Sequence, residues 1–361
     1  MRYVALAGVV AIAFLAGTPA SAQDPVHSAA DAGAGWTMPR LPDGQPDMQG
    51  YWTTQTFTPL ERPEHLGDKE YFTEEEWAYL QDTLTAEGVD PSAREILTLI
   101  EVEDREEIER YKYQGNRTRE ERHHIHYDNE IWLRTPVPKG LSSRRTSLIT
   151  SPRNGRFPPL TPKAAARAAA LRALRTGPNA FDSYEVRTLT ERCYLWGHEG
   201  PPMMPPSYND IHQIFQTSDN FVIFTELGNN PPRIMPLDGR PHISEKIRQY
   251  PGNSRARWED DTLVVETRNY HEKREFRGST TALHVVERFT RTSDDRIHYE
   301  FTVSDPTTWL TPWTVELPLV KTDGPMYEYA CHEGNHDIRH IQEIHRNLER
   351  QAAEAAAQDS R

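Results

Sequence analysis

From Ile211 onward, apolar residues recur at every second position, in short runs separated by turn residues. That period places alternate side chains on opposite faces of an extended chain and cannot give one apolar face on a helix. Ile211–Thr217 and Asn220–Leu227 flank Ser218-Asp219, and Arg257–Glu259 and Thr262–Thr267 flank Asp260-Asp261. Leu283–Arg291 and Arg296–Val303 flank a turn holding Asp294-Asp295, and Trp313–Val320 and Met326–Cys331 flank Thr322-Asp323-Gly324. Four successive hairpins predict an antiparallel meander. A meander of that length must hide its edges, and closure into a barrel does so. The expected fold is mainly β with helical insertions, its meander closing into a barrel-like domain of the calycin or lipocalin kind.

The earlier half reads differently. Tyr51–Phe57 alternates enough for a first strand. Thr73 and Glu76 form a capping box that opens a helix through about Glu87. Pro91-Ser92 starts a second helix, carrying Ile96, Leu97 and Ile100 and then a Glu/Arg run to about Arg122. Thr161-Pro162 starts a third, with Pro at the first helical position, which ends at Gly177. From Asp337 an amphipathic helix carries Ile338, Ile341, Ile344 and Leu348 on one side. The organisation expected is a flexible leader over 23–46, a first strand plus helical cover over 47–190, the barrel over 191–336, and a helix and tail over 337–361.

Residues 1–22 have the layout of a signal peptide. Arg2 supplies a positive start, Val4–Leu15 an apolar run, and Ala20-Ser21-Ala22 a small-residue cleavage site before Gln23. The run is shorter than the roughly 20 residues a membrane span needs, and no later segment is apolar enough. The expectation is a periplasmic or secreted protein, cleaved after Ala22, with no membrane span in the mature chain. An exported chain with two cysteines, Cys193 and Cys331, is expected to join them in a disulfide. The formal net charge of −13, with basic residues scattered, argues against nucleic acid as a partner.

Candidate chemistry follows from residue types and phase. On the strand Leu283–Phe289, Glu287 shares a face with Leu283, Val285 and Phe289; on Phe221–Glu226, Glu226 shares one with Val222 and Phe224. A carboxylate on an apolar face is ion-paired or has a raised pKa, so these two are candidates for acid/base work or for pairing with Arg288 or Arg233. His332 and Glu333 at the end of the last strand offer a second acid/base pair at the barrel rim. His332-Glu333-Gly334-Asn335-His336 also fits H-E-x-x-H, whose two histidines hold zinc when they lie on one helix face. A strand leads into it here, and Gly334-Asn335 would weaken a helix at its centre. Arg144 and Arg145, Trp196 in its Pro-rich loop, Arg233 and His242 are candidate ligand contacts. The adjacent histidines His123, His124 and His126 suit a solvated cluster better than a metal site.

A set of phrases spread over the mature chain carries a resemblance: the segments 58–63, 144–149, 236–242, 261–267, 285–289, 305–309 and 327–335, with Glu191-Arg192-Cys193 and Trp196-Gly197. Together they resemble a large group of uncharacterised secreted bacterial proteins. The resemblance implies export but no reaction. In that group position 336 is often aromatic, so His336 departs from the pattern, as does the His123–His126 cluster.

No G-x-G-x-x-G after a strand, no phosphate loop and no G-x-S-x-G elbow is present. The function expected is binding of a small organic ligand with cofactor-free acid/base chemistry on it, as in a lyase, isomerase or hydrolase. The alternatives are a non-catalytic small-molecule or glycan-binding protein and a zinc hydrolase through His332 and His336.

Overall fold

A computed structural model describes residues 36–359, apart from 55, 86–103, 107, 109–139, 178, 197–198, 206–210, 227, 229–231, 275 and 325. The hairpin signals produce β3 (Ile211–Gln216) and β4 (Asn220–Thr225), β6 (Asn253–Glu259) and β7 (Thr262–Arg268), and β8 (His284–Arg291) and β9 (Arg296–Ser304). β1 (Gly50–Thr53), β2 (Ile149–Ser151), β5 (Arg233–Pro236) and β10 (Trp313–Thr322) complete one ten-stranded sheet. Its order is β5-β4-β3-β1-β10-β9-β8-β7-β6, with β2 also paired to β10, and every pairing is antiparallel. The sheet curls until its outer strands β5 and β6 lie side by side, which makes a nearly closed barrel. Among the described residues no backbone ladder joins those two strands, so the barrel has a seam.

Two expectations about the strands are corrected. The fourth hairpin does not form: residues 326–330 belong to no strand. The edges of β10 are already occupied by β9 on one side and by β1 and β2 on the other. And β1, expected beside a helical cover, lies between β10 and β3. The sheet therefore draws strands from both sides of the boundary at residue 190.

The barrel is filled. Phe221 of β4 and Phe289 of β8 meet from opposite walls at 6.0 Å, and Phe289 stacks on Tyr299 at 4.7 Å. Trp52, Phe301 and Trp313 are also fully buried. Both ends are stopped. At the turn end, residues 36–48 cross the hairpin tips: Trp36 bonds Asp294, Arg40 pairs with Asp261 and Gln45 bonds Ser218 and Trp258. This part of the expected flexible leader is tied down. At the other end the loop 199–205 sinks Met203 into the core, where its N–H donates to the Tyr299 hydroxyl at 3.0 Å.

The helix signals hold locally. α1 spans Glu74–Thr85, with the Thr73 N–H donating to Glu76 at 2.7 Å and the Glu76 N–H donating to Thr73 at 3.2 Å. α2 spans Pro162–Thr176, capped by Thr161, and α3 spans Asp337–Asp359. The helix expected from residue 91 lies outside the described residues for most of its length, as does the His123–His126 cluster. Cys193 and Cys331 are bonded, with Cα atoms 5.6 Å apart. Closing a loop of 138 residues contributes roughly 4–5 kcal/mol in the chain-entropy account.

Candidate functional site

Among the described residues, the barrel interior holds a polar cluster around Glu287. β8 alternates so that Val285, Glu287, Phe289 and Arg291 point inward, which puts the Glu287 carboxylate in the core with no exposed surface. An unpaired carboxylate there would cost several kcal/mol. It is paired: Arg233 Nη1 donates to Glu287 Oε1 at 2.9 Å, and Nη2 bonds Oε2. The Tyr299 hydroxyl donates to the same Oε1 at 2.8 Å. Arg233 Nε donates to Ser254 and Nη2 to Thr267, each at 3.2 Å, and those two hydroxyls bond each other at 2.8 Å. Arg233 thus reaches from β5 across the seam to β6, β7 and β8. Burial opposes its charge, but Glu287 outweighs burial and holds the guanidinium pKa above its ordinary value. Burial pushes the Tyr270 and Tyr299 phenols up, so both are neutral donors.

A cleft of about 260 Å³ opens over this group at the top of the seam. Its polar lining is Arg233, Thr225, Gln249, Asn253, Ser254 and Glu199; Ile223, Ile234, Pro232 and Pro251 supply apolar wall. Glu199 is buried and accepts the Trp196 N–H at 2.8 Å. Asn253 Oδ1 accepts the Ile243 N–H at 3.2 Å and faces His242 Nδ1 at 3.1 Å. Gly252 has φ +73° and passes so close to Thr267 and Tyr270 that a Cβ would lie 2.7 and 2.8 Å from them. Behind the lip, Arg274 is buried and donates to the Tyr250 and Pro201 carbonyls at 3.3 and 3.2 Å. Burial lowers its pKa, and Tyr270 and then Glu199 act against that.

The sequence candidates fall in separate places. Glu287 lies on its apolar row, and its partner is Arg233. Glu226 does not lie on the row expected: Phe221, Ile223 and Thr225 face inward on β4, while Phe224 is exposed. Glu226 follows the strand end, buried, and accepts the Tyr327 N–H at 3.2 Å. His332 and Glu333 are exposed in a turn over 331–334, with Gly334 at φ +67°, and α3 starts only at Asp337. His332 and His336 therefore do not share a helix face, which removes the geometry zinc would require of H-E-x-x-H. No group of three or more His, Cys, Asp or Glu among the described residues could hold a metal ion.

The arginines at 144 and 145 are ion-paired within the fold. Arg144 pairs with Glu74 at 3.0 Å and Arg145 with Glu70 at 3.1 Å, fastening residues 69–76 to 143–147. Trp196 lies beside the cleft through Glu199, its ring edge-on to Tyr329 at 5.8 Å. His242 faces Glu266 on the outside of the barrel, Nε2 to Oε2 being 4.0 Å, and His284 bonds the other oxygen at 2.8 Å. Of the expected contacts, Arg233 lines the cleft and His242 meets it only through Asn253.

Sequence reasoning missed Glu199, Asn253, Arg274 and Tyr299. Tyr299 was findable, since it shares an inward row with Ile297, Phe301 and Val303. The other three lie in or beside loops whose place over the seam has no local signal. No family model matches the chain, and neither does any curated protein or solved structure.

Proposed function

We propose that the chain is exported, begins at Gln23 when mature, and works in the periplasm or beyond as a binding protein for a small polar organic molecule held in the seam cleft. The carrying observation is the position of that cleft. The barrel interior is filled and both ends are stopped, and the cleft is where the buried group around Arg233 reaches the surface. A concave site with a few convergent polar groups is the usual form of a small-molecule site.

Binding without chemistry fits this arrangement better than acid/base catalysis. Both oxygens of Glu287 are committed to Arg233 and Tyr299. Glu226 lies under Tyr327, and His332 and Glu333 are in the exposed turn. No two of the expected catalytic groups from different segments converge.

A screen of small metabolites tests the reading, followed by hydrogen-exchange mass spectrometry on each hit. Protection concentrated at residues 232–236 and 249–254 is the expected result. Protection elsewhere, at the 331–336 turn for example, or turnover that survives Arg233→Met, would displace it. Intact-mass measurement of the exported protein checks the start at Gln23.

A further inference from the structure

We infer that His242 and Glu266 form a pH-sensitive latch: proton uptake by His242 in mild acid fastens the loop 237–252 to the barrel wall, and proton loss releases it. The latch does not depend on which molecule the seam cleft holds.

The tautomer of His242 is fixed by its neighbour. Asn253 Oδ1 accepts the Ile243 N–H at 3.2 Å, which identifies that atom as the oxygen. An amide oxygen only accepts, so His242 Nδ1, 3.1 Å away, carries a proton. A neutral imidazole holds one N–H, so Nε2 is left with a lone pair. That nitrogen is buried and has no hydrogen-bond partner among the described residues. It faces Glu266 Oε2 at 4.0 Å, too far for a hydrogen bond. Two acceptors therefore confront each other with no proton between them.

The carboxylate is prepared for the missing proton. Its other oxygen, Oε1, accepts from Arg268 Nε at 2.6 Å and meets His284 Nε2 at 2.8 Å. Burial opposes the charge of Glu266, but the bonds from Arg268 and His284 outweigh burial and lower its pKa. Glu266 is thus ionised throughout the range in which an imidazole titrates. A second proton on His242 can go only to Nε2, where it points at Oε2. An approach of roughly 1 Å then turns the gap into a charge-assisted hydrogen bond.

The other charges around the contact come from each neighbouring element. Arg268 on β7 and His284 on β8 are bonded to Oε1. Arg255 on β6 donates to the Pro241 carbonyl at 3.0 Å. Within the loop, Asp238 and Arg240 pair with each other, and Arg248 donates to the Tyr270 and Thr281 carbonyls. Glu245 shares a surface hollow with Arg268 and His284, and Lys246 is exposed. The arginines oppose a second proton on His242, but the group aimed at Nε2 is the Glu266 carboxylate. The loop joins β5 to β6 across the seam, and its residues Gln249, Pro251 and Gly252 form part of the cleft lip. A latch at His242 sets how firmly that lip is held in acid and in neutral surroundings.

Hydrogen-exchange mass spectrometry on the full chain tests it, at about pH 5.5 and about pH 7.5, on either side of the ordinary imidazole pKa near 6.5. After correction for the intrinsic exchange rate, the amides of residues 240–246 are expected to be about tenfold better protected at the lower pH. His242→Asn keeps a donor near the place of Nδ1 and removes Nε2, and its protection should be the same at both pH values. His284→Gln keeps a donor near the place of its Nε2 and should retain the native response. Melting curves show whether each variant is folded. Should His242→Asn melt early, Glu266→Gln removes the charge at the same size and is also expected to lose the response. Equal protection of the native loop at the two pH values overturns the latch. So does a response that survives His242→Asn or Glu266→Gln, or one that is lost in a folded His284→Gln.

Discussion

Arg233 and Glu287 come from strands at opposite sides of an open seam, β5 and β8, and meet as a two-pronged ion pair inside the barrel. Where most neighbouring strands are sewn by backbone, β5 is held to the far wall by this side chain and its two hydroxyl partners. Removing one partner should be far worse than removing both. Glu287→Ala strands a buried cation and is expected to cost about 3–5 kcal/mol in urea unfolding, whereas Arg233→Met with Glu287→Leu should recover most of that loss. Equal damage from the single and double variants would show that the pair is not what joins the seam.

Glu300 and Glu316 face each other directly across β9 and β10. Burial first, then repulsion from Glu316, raises the Glu300 pKa, and Arg288 only partly opposes this. A raised carboxylate pKa in the folded state means that ionisation at neutral pH opposes folding, a cost that disappears as pH falls through the folded pKa. Glu300→Gln should therefore stabilise the protein at pH 7, by up to about 1 kcal/mol, and give no gain below about pH 4. Urea midpoints at the two pH values check it, and a loss at pH 7 would contradict it.

Asp305 has the opposite sign. Burial would raise its pKa, but the N–H groups of Thr280 and Thr307 and the hydroxyls of Thr280, Thr307 and Thr308 outweigh that and lower it. Its stabilisation is present above the ordinary aspartate pKa near 3.9 and is lost as pH falls through the lower folded value. Asp305→Asn is expected to cost about 2 kcal/mol at neutral pH. The gap to the native protein should close in strong acid, and a gap independent of pH would assign the cost to packing.

Much of this architecture is legible as alternation, and the failures have physical causes. Glu287 is assignable to an inward row because polar residues separate its apolar neighbours on β8. Glu226 is misplaced because Phe221, Val222, Ile223 and Phe224 are apolar without a break, so period two leaves the inward face undetermined. Pairing with β3, where buried Ile214 opposes Ile223, decides it. The cleft is harder still. It needs Glu199 from a loop, Arg233 from one edge strand and Asn253 from the other, and no sequence period connects three such segments.

Gly252 tests how tightly the cleft is framed. Its φ of +73° disfavours any side chain, and a Cβ would lie 2.9 Å from the Arg268 carbonyl as well as against Thr267 and Tyr270. Gly252→Ala is expected to lower stability by about 1–3 kcal/mol and to weaken any ligand of the cleft. Melting curves and calorimetry on the same preparation separate the two effects, and a variant as stable as the native protein would mean that the turn can shift.

The position of β1 makes closure of the sheet depend on contacts far apart in the sequence. Trp52 is set between His212 and Lys321 in the ladder, so the first strand has as neighbours one from mid-chain and the last. The hairpins from β6 to β9 each need only a sequence neighbour, so they can form early in folding. Residues 50–53 can pair with β3 as soon as residues 211–214 exist, but their second edge stays open until β10 is complete. A chain stopped after β9 is therefore not a smaller barrel: it lacks the strand that joins its two halves, and β1 is left as an open edge.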